Sequence, residues 1–274
     1  MTKPIISTIV SEIPNLLWQY SSKGDLERIK QIFAYVNHQN IDMGKLRAKI
    51  TESHQGFPSP FMEAARKGHA QVCEYFISQQ NANIDARNDY NTASVFCYNW
   101  TALMFAVNCN QTKVIKVLLR HNPDIRTKDN YGRNATYIAA CEGYLDALKM
   151  LVRKDRHVVD LRGPDGMTPL IAASSRNGRV DICKYLLEQN NANVNLKDSF
   201  GGTALTYATN PVIIEILKNH RKNQCLKMYK KLTSKDIFKD ELKPKFFFRF
   251  DSVCYRVKVY EEILIFRNSL VEWS

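Results

Sequence analysis

At 274 residues, with 45% hydrophobic and 24% charged residues, the chain carries ample apolar material for a packed core, and global disorder is excluded. Seven cysteines, an odd number with no CxxC pair, and no leader-like start predict reduced thiols in a cytoplasmic or nuclear setting. No run approaches the roughly 18 apolar residues that a spanning helix needs, so no membrane span is expected.

In chain order, the opening MTKPIISTIVSEIP is mildly apolar but interrupted by Pro4, Glu12 and Pro14. A weak helical stripe follows at Ile29, Ile32 and Phe33. Residues 42–55 place Met43, Leu46 and Ile50 at helical spacing, which predicts a short extra helix lying on the first unit.

From there a unit repeats. Its second half shows an apolar quartet with i, i+1, i+4, i+5 spacing, the stripe of a one-sided helix. The quartet is Val72, Cys73, Phe76, Ile77, then Val114, Ile115, Leu118, Leu119, then Ala147, Leu148, Leu151, Val152. It returns as Ile182, Cys183, Leu186, Leu187 and finally as Val212, Ile213, Ile216, Leu217. The first halves begin at Ser59, Thr101, Asn134, Thr168 and Thr203, residue types that cap helices, with Pro60 and Pro169 in the first turn. Small residues follow inside (Ala64-Ala65, Ala106, Ala139-Ala140, Ala172-Ala173, Ala208), as closely stacked helices require. Gly24, Gly68, Gly143 and Gly178 separate the two halves. Asn110 holds that place in one unit, being the residue other than glycine that best tolerates a left-handed turn.

The stretches Ala64-Ala65-Arg66-Lys67-Gly68-His69, Ala82-Asn83-Ile84-Asp85 and Asp198-Ser199-Phe200-Gly201-Gly202-Thr203-Ala204-Leu205, together with Thr168–Asn195, resemble the ankyrin repeat. The resemblance implies an all-α solenoid of stacked helix–turn–helix units with short β-hairpin fingers, used to bind proteins. It covers about six units, near 14–42, 57–86, 99–127, 132–161, 166–196 and 201–219, in an array over 1–219. A small basic C-terminal extension, 220–274, follows. The histidine that the family places after Thr-Pro-Leu is missing throughout, Met62, Met104, Tyr137, Ile171 and Thr206 standing there instead. An array of modest stability is expected from that loss.

The step from the closing apolar residue to the next opener is nine residues from Ile125, Val159 and Val194, but 18 from Ile41 and 17 from Ile84. Two insertions therefore fall at fingers, and insertions in arrays map to one face. The second, 87–100, holds Tyr90, Phe96, Tyr98 and Trp100. Two readings stay open for it: an exposed aromatic contact surface, or Phe96 and Trp100 folded back over the edge of the stack. By resemblance, partner contacts fall on finger tips and the exposed ends of first helices. On the fingers these are Tyr98, Trp100, Tyr131, Arg133 and Phe200. On the helix ends they are Arg66, Lys67 and Arg176. Aromatic and basic side chains predict a protein partner with apolar and acidic groups.

Residues 220–274 carry 13 Lys/Arg against 7 Asp/Glu. Cys225, Leu226, Tyr229 and Leu232 predict a helix that caps the last unit. Beyond Pro244, Val253, Tyr255, Val257 and Val259 alternate as a strand does. A basic tail also suits nucleic acid or anionic lipid, but no nucleic-acid motif is present, so a nucleic-acid partner is disfavoured. No phosphate loop, HExxH, GxSxG or tightly spaced metal-ligand set occurs, and Cys73 and Cys183 fall at equivalent core positions as small apolar fillers. The expectation is a non-enzymatic scaffold or adaptor without cofactor or metal. The alternative is a regulatory or targeting region of a larger enzyme or a host-directed effector.

Overall fold

The computed structural model describes residues 3–39, 42–52, 58–88, 99–176 and 179–234, with side chains from residue 12 up to 224 and at Lys227. Asn177, Gly178, the inserted segment 89–98 with Tyr90, Phe96 and Tyr98, and the strand expected beyond Pro244 lie outside the described residues. The chain divides into two compact units, 1–220 and 221–274.

The first unit is built from helix pairs. They are α1 (Lys3–Lys23) with α2 (Leu26–His38), α4 (Pro60–Lys67) with α5 (Ala70–Gln80), and α6 (Ala102–Asn108) with α7 (Thr112–Arg120). Next come α8 (Ala135–Glu142) with α9 (Leu145–Lys154), and α10 (Pro169–Ser174) with α11 (Val180–Lys184), whose final turn, Tyr185–Gln189, is a π-helix. The last pair is α12 (Ala204–Tyr207) and α13 (Pro211–Ser234). The first helices α1, α4, α6, α8, α10 and α12 pack successively side by side, and α5, α7 and α9 form a parallel row behind them.

Local chemistry explains each start. Ser59, Thr101, Asn134 and Thr168 accept a hydrogen bond from the backbone amide three residues on, at 3.3, 3.4, 2.8 and 3.3 Å. Each thereby satisfies one of the amides that a helix leaves unpaired at its start. Most of the expected quartet residues are core, and Phe76, Ile115, Leu118, Leu148, Leu151, Leu186 and Leu187 are fully buried, whereas Ile77 and Ile216 are half-buried and Val212 is exposed. Also fully buried are Ala64, Ala65, Ala106, Ala139 and Ala140 on the first helices, where any larger side chain would force neighbouring helices apart. Burial pushes the Cys183 thiol up to about 11 and the Cys73 thiol higher still, so both behave as apolar fillers.

The turns between paired helices carry more than conformational freedom. Gly24, Gly68 and Gly143 adopt φ of 73°, 90° and 87°, and Asn110 matches them at 53°. Above each of the three glycines passes a long side chain of the following repeat: His69 over Gly24, Gln111 over Gly68, Arg179 over Gly143. Those side chains bond back to the end of the preceding first helix. His69 Nε2 meets the Ser22 carbonyl at 2.9 Å, Gln111 donates to the Arg66 carbonyl at 3.2 Å, and Arg179 donates to the Cys141 carbonyl at 3.3 Å. A Cβ would collide with this rung, so glycine is required twice over.

Two features differ from the sequence reading, the start of the first repeat and the form of the fingers, while the extra helix agrees with it. The first unit begins before residue 14, because α1 runs from Lys3 through Pro14, burying Ile13 and Leu17. Residues 43–51 do form a separate helix, α3 (Met43–Thr51), which buries Leu46 and Ile50 and packs on α1 and α4. The fingers are tight turns, and only one β-bridge, Arg87 to Thr101, forms among the described residues, since each stem is too short for a ladder. The second helix of the last pair runs without interruption from Pro211 to Ser234, so it continues past the end of the first compact unit at 220.

Candidate functional site

Four fingers are comparable through the backbone bond that closes each stem. Asn88 donates to Trp100 at 3.1 Å, Asp129 to Arg133 at 2.8 Å, Gly163 to Met167 at 2.7 Å and Asp198 to Gly202 at 2.9 Å. Three stems enclose three residues, whereas the stem Asn88–Trp100 encloses eleven. The second insertion therefore falls between the two ends of a finger stem, as the sequence spacing implies.

An Asp or Asn side chain shapes three of these turns. Asp198 Oδ1 accepts from the amides of Phe200 and Gly202 at 3.0 and 2.8 Å, and Asp129 Oδ1 from those of Tyr131 and Arg133 at 3.0 and 2.8 Å. Asn88 accepts from the Trp100 amide. The hydroxyl of Tyr207 and the two turn amides hold the Asp198 carboxyl below the usual carboxylate range. Of these three turn residues, Asp198 stands in a stretch that marks the repeat and Asn88 in the second insertion, and none is assigned this role from the sequence. The visible signal at Asp129 and Asp198 is an Asp two residues before an aromatic tip.

Asp129 does more. Its Oδ2 accepts from the Trp100 indole at 2.8 Å and from Arg133 Nε at 2.7 Å, so four donors converge on one carboxylate with no side-chain exposure. A buried charge is tolerable when it is paired and its lone pairs are filled, which is met here. Trp100 is 6% exposed, packs edge-on against Phe105 with ring centroids 5.1 Å apart, and lies under the Arg133 guanidinium at 5.3 Å. Arg133 in turn sits 5.1 Å from the Tyr131 ring. Trp100 thus takes the folded-back alternative, and its candidacy as an exposed contact is corrected: its indole N–H finds a buried carboxylate on the next finger.

The remaining candidates separate by position. Tyr131 and Phe200 occupy the second place beyond their turn-shaping aspartates, at the tips, and are 52% and 76% exposed. Asp165 holds the equivalent tip between them in sequence, exposed and at a φ of 49°. The tips adjoin one another. The Ser199 amide donates to the Asp165 carbonyl at 2.7 Å, and Arg162 bridges the Gly166 and Lys197 carbonyls at 3.0 and 2.6 Å. On the first-helix ends, Lys67 and Arg176 are exposed, while Arg66 makes a two-pronged pair with the buried Glu63, both distances 2.8 Å. Tyr98 lies outside the described residues. Trp100, Tyr131 and Arg133 are brought together, whereas Phe200, Lys67 and Arg176 belong to other repeats.

Among the described residues no group of three or more metal-ligating side chains is gathered, and no helix is long and apolar enough to cross a membrane.

Comparison with known proteins agrees with this geometry. A family model described as ankyrin repeats matches three overlapping stretches, residues 17–129, 61–161 and 138–227. The chain is 28% identical over 178 residues to alpha-latrocrustotoxin-Lt1a of Latrodectus tredecimguttatus, covering 51% of this chain and 12% of that protein. It is 28% identical over 156 residues to neurogenic locus notch homolog protein 1 of Xenopus tropicalis, covering 55% of this chain and 6% of that protein. It is 29% identical over 171 residues to the ankyrin repeat and KH domain-containing protein mask-1 of Caenorhabditis elegans, covering 59% and 6%. The matched segment is thus a small fraction of each of these relatives.

Proposed function

This chain belongs to the ankyrin-repeat family, whose arrays are in general protein-binding modules, and from that premise we propose that it is a non-enzymatic scaffold or adaptor. It docks a protein partner on the surface made by the finger tips and the exposed ends of the first helices. The observation that carries this reading is the exposure of Tyr131 and Phe200, large aromatic side chains held out at 52% and 76% on turns stiffened by Asp129 and Asp198. Burying an aromatic side chain already fixed in place gains its contact area at small entropic cost, the character of an interface anchor. On the fingers and the first-helix ends, the exposed cations Lys67, Lys128, Arg162, Arg176 and Lys197 outnumber the exposed acids Asp165 and Glu142. A partner segment with apolar and acidic groups suits that balance.

The test is affinity capture from cell extract with the wild-type chain and a Tyr131→Ala/Phe200→Ala double variant, each checked by circular dichroism. The double variant should retain its helical spectrum and lose the proteins that the wild type retains. An identical set of captured proteins would overturn the reading.

A further inference from the structure

The second helices α5, α7 and α9 pack side by side behind the first helices, and they differ in charge. α7 carries Lys113, Lys116 and Arg120 and no acid, and α9 adds Lys149, Arg153 and Lys154 against Asp146 alone. Counted from the first quartet residue, Val114 in α7 and Ala147 in α9, Lys116 matches Lys149 and Arg120 matches Arg153. Stacking of the repeats therefore sets like charges on neighbouring helices, whose axes lie roughly 8–10 Å apart. Lys116, Arg120 and Arg153 are exposed and make no ion pair among the described residues, and Lys149 lies 6.0 Å from the centre of the Tyr185 ring. Arg28, Lys30 and Arg126, by contrast, each meet an acid. Like charges held close work against the fold, so stability does not account for this face. Between α5 and α7 opens a groove of about 430 Å³, lined by Ala70, Gln71, Glu74, Val117, Arg120 and His121. Ala70 and Val117 are its apolar part, and His121 Nε2 meets Glu74 at 2.9 Å. Arg120 belongs to both the groove and the basic face.

We propose that the groove and the basic face together dock an acidic protein segment, with one apolar side chain seated between α5 and α7 and carboxylates on Lys116, Arg120, Lys149 and Arg153. This surface is built from second helices alone. It stands independently of the finger tips and gives the array a second face for a second partner. An extended chain suits the spacing: three residues span roughly 10 Å, about the step from one second helix to the next. A guanidinium takes a carboxylate through two parallel bonds, and complementary charge directs the encounter and sets the register. Other polyanions fit less well. No aromatic side chain of α5, α7 or α9 is exposed for a nucleic-acid base to stack on. The large apolar side chains exposed among the described residues, Tyr131, Phe200 and Val212, all lie off these three helices, so this face offers a bilayer nothing to insert.

The experiment titrates the full chain against a fluorescent synthetic peptide, one leucine followed by glutamates at every third place among serines, and reads anisotropy. Phosphatidylserine vesicles and a uridine oligonucleotide form the other arms. The targets are wild type, Lys116→Glu/Arg120→Glu/Arg153→Glu, and Lys23→Glu/Lys45→Glu/Arg47→Glu, which removes the same charge from exposed positions of α1 and α3. All six positions are exposed, so both variants should keep the helical spectrum. The peptide should bind the α7–α9 variant about tenfold more weakly than wild type, and the α1–α3 variant within about twofold. Replacing its leucine by serine should weaken binding to wild type about fivefold and should matter little to Gln71→Trp, whose indole occupies the groove. Equal losses in the two charge variants would overturn the proposal, because net charge alone would then be at work. So would a peptide that fails to bind wild type. So would vesicles or an oligonucleotide that bind more tightly than the peptide and lose more in the α7–α9 variant. A leucine that contributes equally on wild type and on Gln71→Trp would overturn the part given to the groove.

Discussion

Trp100 and Phe200 are both aromatic residues of finger segments, yet the first is 6% exposed and the second 76%. Their places in the finger account for the difference. Trp100 closes a stem, where its backbone pairs with Asn88 and its side chain is carried over the next repeat to meet Asp129. Phe200 stands at a tip, where the Asp198 turn directs it away from the stack. An aromatic residue on a stem stabilises the array, and one on a tip is available to a partner. The same contrast separates Trp100 from Tyr131, although Arg133 touches both rings.

The contrast is broken most directly at Trp100. Trp100→Ala should cost about 3–5 kcal/mol, the range for removing a large buried aromatic, and be seen as a lower urea midpoint. Trp100→Phe should keep the packing on Phe105 but leave Asp129 one donor short, for about 1–3 kcal/mol. A midpoint unchanged in Trp100→Ala would show that the stem brace contributes nothing.

A smaller loss is expected where repeats meet. Gly143→Ala places a side chain at a φ of 87°, in the path of Arg179, and should cost at least about 1 kcal/mol. Thermal unfolding measures it, and Gly201→Ala is the control: the same positive φ, 82°, with open space around it. If the two variants lose equally, backbone strain alone is at work and the crossing side chain is irrelevant.

Smaller again is the effect of the Arg126–Asp155 pair, which links neighbouring closing turns with contacts of 2.9 and 2.6 Å. Bonding to Arg126 and to the His157 amide depresses the Asp155 carboxyl below its ordinary value. A depressed acid stabilises the fold above its unfolded-state value of about 4 and loses that contribution as pH falls through its folded-state value. Wild type should therefore melt slightly above Arg126→Ala at neutral pH, and the gap should close in acid. A gap that persists at pH 2 would refute the assignment.

The least effect on stability belongs to the tips. Phe200→Ala and Tyr131→Ala should each shift unfolding by no more than about 0.5 kcal/mol while partner capture is lost. A loss near that of Trp100→Ala would abolish the distinction between stem and tip.

How much of this could be read beforehand depends on how local the cause is. Ser59, Thr101, Asn134 and Thr168 cap helices through their own backbone neighbours, and the quartets from Val72 to Leu187 define apolar faces by spacing alone. The repeat and its family were legible for that reason. Spacing also marked the enlarged finger, since the count from Ile84 to Thr101 needs no coordinates. Three things were not legible. Whether Trp100 faces a partner or the stack depends on Asp129, 29 residues away, and burial of an indole is settled by whether its N–H finds an acceptor across repeats. That Gly24, Gly68 and Gly143 leave room for His69, Gln111 and Arg179 follows from the stacking of one repeat on the next. Arg133 and Arg176 look alike as fingertip and helix-end cations. Only the folded arrangement commits one to a buried carboxylate and leaves the side chain of the other without an ion pair among the described residues, because ion pairing depends on distances that the chain sets after it has packed. The sequence by itself determined the units, their helices and the sites of insertion, all of which arise from neighbours within a few turns. The tertiary structure alone decided which exposed-looking side chains remain exposed, since that is a property of contacts between repeats.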